Sequence, residues 1–356
     1  MALEQYFTDF TNRDWERETV DGTVRMAIIG VGGFARQRAL PGISHGSYCE
    51  TTVLVSGSPD TTRDVADEFG VEHVIDYDDF LEGVHTEAYD AVYVATPNAF
   101  HGKYARAAAE YGKHVICEKP LETTTERAQE VVETCAEAGV TLMTAYRLQC
   151  EPTVRRTREI VRDGVIGDVV QIHGGFSNPL LEHASPDTWR LDADLAGGGA
   201  MVDLGVYPLN TIRFVLECDP SSVYASTTSS GEAFAEVDQH VAFQLEFSTE
   251  TTASCTASFD AHANSQLQLV GTDGVVSVAS PFGGVVPHEM IVESGDMRME
   301  YTGEPTDEVR EEFDYFGYCV LTGTTPEPDG EDGVTDLRVV DATYESAART
   351  ERVSLE

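Results

Sequence analysis

A short apolar strand that runs into a glycine-rich turn and then into a helix constrains this chain more than any other feature. Residues 24–29 (VRMAII) read as a buried strand, and Gly30-Val31-Gly32-Gly33-Phe34-Ala35 comes directly after it. The spacing is G-x-G-x-x-A. Gly30 permits the tight turn, and Gly32 lets backbone come close to a pyrophosphate. Gly33 and Phe34 complete the turn, and Ala35 lets the helix pack close to its strand with its N-terminus facing phosphates. Glycine-rich turns are common, so the turn gains weight from its place at the head of a longer pattern. Strand-like runs at 52–55, 91–95, 114–117 and 140–144 alternate with helical runs at 61–69, 101–111 and 124–138. That alternation predicts a doubly wound parallel sheet, a Rossmann-type dinucleotide-binding domain over residues 24–146.

The end of the second strand bears on the cofactor. An acid there would hold a ribose 2′-hydroxyl, as in NAD sites. This chain has Ser56-Gly57-Ser58, with Arg63 downstream and Arg36 and Arg38 in the first helix. Small hydroxyls and arginine accept a 2′-phosphate, so NADP is expected, with NAD bound more weakly. Asp60 is the neighbour that argues the other way, and the serines could simply form a turn.

Two later strand ends carry polar residues to the same carboxyl edge, where ligands bind in open α/β sheets. One is Thr96-Pro97-Asn98 with His101 close behind. The other is Glu118-Lys119-Pro120. Both prolines could serve only to stop their strands. Lys119 is one of three lysines in 356 residues, beside Lys103 and Lys113. A chain that has almost emptied itself of lysine keeps an ammonium here, which argues for chemistry over a solvated surface position.

The pattern changes after Tyr146. A helix is expected at 152–163. Strands with period-two alternation come next at 169–176, 241–247, 252–259, 266–270 and 275–278, the last two joined through Gly271-Thr272-Asp273-Gly274. Such hairpins predict an open, largely antiparallel sheet in a second domain, 147–356. A sheet with one covered face needs a partner for the other, so a homodimer or homotetramer through it is expected. Residues 323–333 read as a loop and 337–349 as a closing helix. Between the strands, Gly197-Gly198-Gly199 precedes Asp203 and Tyr207, which share a face if the segment is helical. Such a pair is often only structural. Beside a cofactor and Lys119 it becomes an acid/base candidate, because an ammonium would lower the tyrosine pKa of ~10.

Composition removes several function classes. The 62 acidic against 23 basic residues give a net charge of −39, which opposes nucleic-acid and anionic-membrane partners. With 41% hydrophobic residues, the chain can still build cores, so the acids read as the surface of a protein adapted to high salt. The seven cysteines show no paired metal-ligand spacing, so no structural zinc is expected. No run approaches the ~18 apolar residues of a membrane span. Residues 1–23 read as a polar, acidic N-terminal arm lacking the signature of an export signal, which places the protein in the cytoplasm.

Taken together, the 27–32 run AIIGVG, Thr96-Pro97-Asn98, Glu118-Lys119-Pro120 and Asp203-x-Gly205-x-Tyr207 resemble the Gfo/Idh/MocA family of oxidoreductases, from about Val24 to the C-terminus. Many relatives carry histidine at the last position. Tyrosine there, after three glycines, is most similar to the glucose–fructose oxidoreductase subgroup. Trp189-Arg190-Leu191 also resembles a cofactor-proximal segment of that subgroup. The resemblance implies a bound nicotinamide cofactor, oxidation of a sugar or polyol hydroxyl, and Lys119, Asp203 and Tyr207 at the reacting carbon. With the inferred saline habitat it implies an NADP-dependent aldose 1-dehydrogenase that converts a cyclic pentose, D-xylose first, to its aldonolactone. The alternatives are an enzyme that never releases NADP and shuttles hydride between sugars, an inositol or polyol dehydrogenase, and a non-catalytic NADP or sugar sensor. Tyr146, Asn178 and His183 are candidates for reading sugar hydroxyls.

Overall fold

The computed structural model describes residues 3–284, 287 and 289–355. Met1 and Ala2 of the expected arm, and 285, 286, 288 and Glu356 of the expected second domain, lie outside the described residues. The chain forms two interleaved units instead of two consecutive blocks. One contains residues 14–147 and 307–335; the other contains 1–13, 148–306 and 336–356.

The first unit is built on a six-stranded parallel sheet. Its strands are β1 (Val24–Ile29), β2 (Cys49–Val55), β3 (His73–Ile75), β4 (Ala91–Val94), β5 (His114–Glu118) and β6 (Leu142–Ala145), in the order β3-β2-β1-β4-β5-β6. β1 pairs with β2 on one side and with β4 on the other. The chain therefore reverses its direction of winding between β1 and β4, which opens a crevice at their carboxyl ends. All four residues of β4 and β6 are buried, as a sheet covered on both faces requires. The helix Glu308–Thr322 also belongs to this unit, and it buries Glu308, Glu312 and Asp314. The later part of the arm packs here through Trp15, whose ring lies 5.3 Å from Tyr315 and 5.5 Å from Tyr318.

The second unit is built on a nine-stranded sheet. β7 is Val169–Ser177, β8 Pro220–Thr228, β9 His240–Phe247, β10 Thr252–Ser258 and β11 Asn264–Gly271. β12 is Gly274–Ala279, β13 Glu289–Ser294, β14 Met297–Thr302 and β15 Val353–Ser354. The order is β14-β13-β12-β11-β7-β10-β9-β8-β15. β7 and β10 run parallel, and the other pairs are antiparallel. Alternation assigns one face to the core, where Leu209 and Ile212 of the helix Val206–Leu216 are buried with Ile172, Phe243 and Leu245. Gly174 makes this approach possible: a Cβ there would sit 3.0 Å from Pro208. Within this unit the start of the arm covers an edge strand, with Phe10 stacked 3.7 Å from Tyr301 of β14.

Two expectations are corrected. The closing helix starts at Gly330, not at 337, and takes in part of the expected loop. Asp329 caps it by accepting from the Asp332 amide at 3.0 Å, and Glu331 and Asp332 suit the positive end of its dipole. Its glycines reflect close packing, since a Cβ at Gly330 would meet Leu142 at 2.6 Å. The second correction concerns Asp203 and Tyr207. Met201–Gly205 is a π-helical turn, closed by the Val206 amide on the Met201 carbonyl, and only Val206–Leu216 is α-helical. Asp203 therefore lies on the π turn, and Tyr207 lies in the first turn of the α-helix that follows. Single π turns recur at functional sites.

Candidate active site

In the first unit the dinucleotide turn is set by the sheet. Gly30 has φ +96°, and a Cβ there would lie 2.7 Å from the Ala95 carbonyl oxygen, so neighbouring backbone demands this glycine. Among the described residues, nothing lies within 4 Å of a Cβ at Gly32 or Gly33. Protein packing does not require those two glycines, and the open space beside them fits a pyrophosphate lying on the turn. Phe34 is exposed and Ala35 buried. The Arg36 guanidinium folds back over the turn, its Nε donating to the Val31 carbonyl at 2.9 Å.

At the end of β2, Ser56 is buried, and its hydroxyl accepts from Thr62 Oγ1 at 2.9 Å and from the Ser58 amide at 3.2 Å. Ser56 is thus a brace for the loop. Gly57, Ser58 and Arg63 are exposed. Ser58 stands at the head of the helix Pro59–Phe69, without a side-chain cap bond to it.

At the end of β4, His101 is fully buried. Its ring nitrogens face the Thr96 carbonyl and the Pro120 carbonyl, each at 2.9 Å. It cross-links the two polar strand ends from behind, so its contribution to a cofactor site is to hold Thr96 and Pro120. Burial lowers its pKa, opposed by the two carbonyls and by Glu118 and Glu122. Pro97 is half-buried and Asn98 buried. The Thr96 Oγ1 is buried without a hydrogen-bond partner among the described residues.

Glu118 Oε1 accepts from the Tyr93 hydroxyl at 2.5 Å, and its Oε2 accepts from the Lys119 amide at 3.2 Å. Burial, and then Glu118 itself, push the Tyr93 hydroxyl well above its ordinary pKa. Glu312 is wholly buried, and burial followed by the Glu118 charge raises its carboxyl well above the ordinary range. Lys119 is half-buried and Tyr146 buried, both in this unit. Glu308 accepts from Arg38 at 3.2 Å and from Arg147 at 2.7 Å, which ties the fingerprint helix to the chain beyond β6.

The second unit holds Trp189, Arg190, Asp203 and Tyr207. The three glycines before Asp203 have separate causes. Gly197 has φ +79° at a helix end. Gly198 has φ +154°, and a Cβ there would lie 2.2 Å from the Tyr344 hydroxyl oxygen. A Cβ at Gly199 would lie 2.1 Å from the Asp238 carbonyl oxygen. Asp238 clasps this turn. Its Oδ1 accepts from the Gly199 amide at 2.8 Å and from the Tyr344 hydroxyl at 2.6 Å, while its Oδ2 accepts from the Met201 amide at 2.8 Å. Sequence reading did not find Asp238, Tyr344, Glu308 or Glu312, because their partners are far away in sequence. Past the clasp, Arg190 Nε approaches Asp203 Oδ2 at 3.4 Å. The Tyr207 ring meets Phe176 edge-on at 5.3 Å and lies 6.2 Å from Phe282. Asn178 and His183 also lie in this unit.

A doubly wound sheet with an open glycine cradle, joined in one chain to an antiparallel sheet unit, defines a dinucleotide-dependent oxidoreductase. A model of the oxidoreductase family with an NAD-binding Rossmann fold matches residues 24–146. A model of the GFO/IDH/MocA C-terminal domain matches 154–277. The chain belongs to the GFO/IDH/MocA family. It is 44% identical to the D-xylose 1-dehydrogenase (NADP(+)) of Haloarcula marismortui, over the whole of both chains. It is 34% identical to D-xylose 1-dehydrogenase (NADP(+)) 2 of Haloferax volcanii, over 92% of this chain and 99% of that one. Among solved structures it resembles the aldose-aldose oxidoreductase of Caulobacter crescentus complexed with glycerol. The TM-score is 0.88 at 29% identity, covering 93% and 99% of the two chains.

Proposed function

We propose that this protein is an NADP-dependent aldose 1-dehydrogenase that oxidises a cyclic pentose, D-xylose first, at C1 to the aldonolactone. The observation that carries the reading is the full-length 44% identity to a D-xylose 1-dehydrogenase (NADP(+)). The open space at Gly32 and Gly33, and the exposed Ser58 and Arg63 at the end of β2, fit a dinucleotide bearing a 2′-phosphate. When bound, NADP supplies the hydride acceptor. Tyr207 takes the proton of the C1 hydroxyl as hydride leaves C1. Lys119 hydrogen-bonds a sugar hydroxyl, and Asp203 orients the ammonium. Tyr146 offers a further hydroxyl contact to the sugar.

A homodimer or homotetramer through the outward face of the nine-stranded sheet belongs to the same proposal. In a chain with 62 acids, the strands β7 to β12 contain a single acidic residue, Glu246. A surface left to solvent in this protein would carry its share of carboxylates. The overall acid load fits a high-salt cytoplasm, and among the described residues no helix is long and apolar enough to cross a membrane.

The test is NADPH formation in molar KCl with NADP or NAD and a panel of D-xylose, L-arabinose, D-glucose and myo-inositol. Turnover with D-xylose and NADP is expected. Tyr207→Phe should lose ~10²- to 10⁴-fold in kcat, the usual worth of a general base, with KM for NADP nearly unchanged. Wild-type turnover in that variant would reject the role of Tyr207. Silence across the panel in folded protein would reject the activity.

A further inference from the structure

The second unit supplies the Asp203 carboxylate with a cation of its own. Arg190 Nε lies 3.4 Å from Asp203 Oδ2, with the side chains 36% and 25% exposed. The guanidinium is backed by the indole of Trp189, 4.4 Å from the ring centroid. Trp189–Leu191 is a short 3-10 turn, and Asp203 sits on the π turn Met201–Gly205, so two irregular elements place the pair. A half-exposed ion pair contributes little to stability, and stability alone gives no reason to build one here. A planar guanidinium pressed on an aromatic face has lost much of its freedom to swing, which suits it to aiming a carboxylate. The resemblance placed Arg190 near the cofactor. The observed geometry directs its Nε edge at Asp203.

We propose that Arg190 is a positioning residue that acts on the reaction through Asp203, neutralising and aiming the carboxylate while the Trp189 ring backs the guanidinium. The inference rests on the reading of Asp203 as part of the reaction site. Asp203 then has Arg190 as one fixed neighbour, 3.4 Å from its Oδ2. Lysine at 190 would keep the charge and lose the planar stack, so it should restore only part of the function.

The experiment is a double-mutant cycle on the full-length protein in molar KCl, with kcat and KM for NADP measured separately and folding checked by thermal melting. Asp203→Asn is expected to lower kcat by ~10²-fold and Arg190→Gln by ~10-fold. The double variant should be no slower than Asp203→Asn alone, because two residues acting as one unit are not additive. Arg190→Lys should fall between Arg190→Gln and wild type in kcat. If Asp203→Asn turns over like wild type, the reading of Asp203 falls and this inference with it. If Asp203→Asn is impaired but the losses multiply in the double variant, the reading of Asp203 stands and the inference is overturned. The inference is also overturned if Arg190→Gln raises KM for NADP and leaves kcat intact, which would assign Arg190 to the cofactor alone.

Discussion

The Tyr93 hydroxyl donates to Glu118 Oε1 across 2.5 Å, from inside the parallel sheet to the residue that precedes Lys119. Tyr93 is wholly buried, and its ring meets Phe313 edge-on at 5.0 Å. The bond therefore anchors the end of β5 to the core of its own unit. Tyr93→Phe keeps the ring packing and deletes the donor. Loss of a hydrogen bond to a charged group costs about 1.5–3 kcal/mol, so the melting temperature should drop by several degrees. If Glu118 aligns Lys119, kcat should fall as well. A variant with unchanged melting and unchanged kcat would show that the bond does neither.

His101 carries a pH dependence that can be isolated. Burial lowers its folded-state pKa below the ordinary histidine value. As pH falls below about 6.5, the unfolded chain gains a proton there before the folded protein does. Wild type should therefore lose stability from this group as pH falls through that value, and the contribution should be complete above it. His101→Gln removes the titration. The stability difference between wild type and His101→Gln, from denaturation midpoints between about pH 5 and about pH 8, should shrink toward the acid end. A difference that grows toward acid would mean that the two carbonyls hold the ring as a cation.

Much of the nucleotide-binding architecture was legible because it is local. The fingerprint at Gly30 to Ala35, the strand ends at Thr96 and Lys119 and the period-two strands from Val169 onward each need only a few neighbouring residues. What was hidden depends on distant partners. The segment 307–335 returns to the first unit, and nothing at Glu308 announces that Arg38 and Arg147 will meet it. Ser56 and His101 looked like cofactor ligands by position, yet Thr62 and the Pro120 carbonyl engage them inside the fold. The π turn at Met201–Gly205 depends on packing, and its sequence is compatible with an ordinary helix.

The clasp at Asp238 makes the three glycines unequal. A methyl group at Gly199 would overlap the Asp238 carbonyl at 2.1 Å, and that atom is backbone with little room to move. Gly199→Ala should be severely destabilising, by ~3 kcal/mol or more for strain of this kind. Tyr344→Phe removes one of the three donors to the Asp238 side chain and should cost about 1–2 kcal/mol. Urea denaturation in molar KCl would rank them. Tyr344→Phe as damaging as Gly199→Ala would mean that the tyrosine, not the glycine fit, holds the turn.

Ser58 stands exposed at the head of its helix, just past the carboxyl end of β2. An aspartate there would accept from a ribose 2′-hydroxyl and repel a 2′-phosphate. Ser58→Asp should lower kcat/KM for NADP by at least ~10-fold and raise it for NAD, since one misplaced charge contact costs about 1.4 kcal/mol or more. The two cofactors should be titrated at fixed D-xylose. A ratio unchanged from wild type would remove Ser58 from cofactor selection.

The net charge of −39 predicts that the fold depends on salt. Repulsion among surface carboxylates reaches ~10 Å at 0.1 M salt but only ~3 Å at 1 M. In dilute buffer the protein should lose activity and melt at a lower temperature, and molar KCl should restore both. Choline chloride at equal ionic strength separates two causes. If screening alone is needed, it should substitute for KCl; if the carboxylates organise small hydrated cations, it should fall short. Full activity and unchanged melting without salt would show that the fold tolerates its own charge, and the acidic surface would then need another explanation.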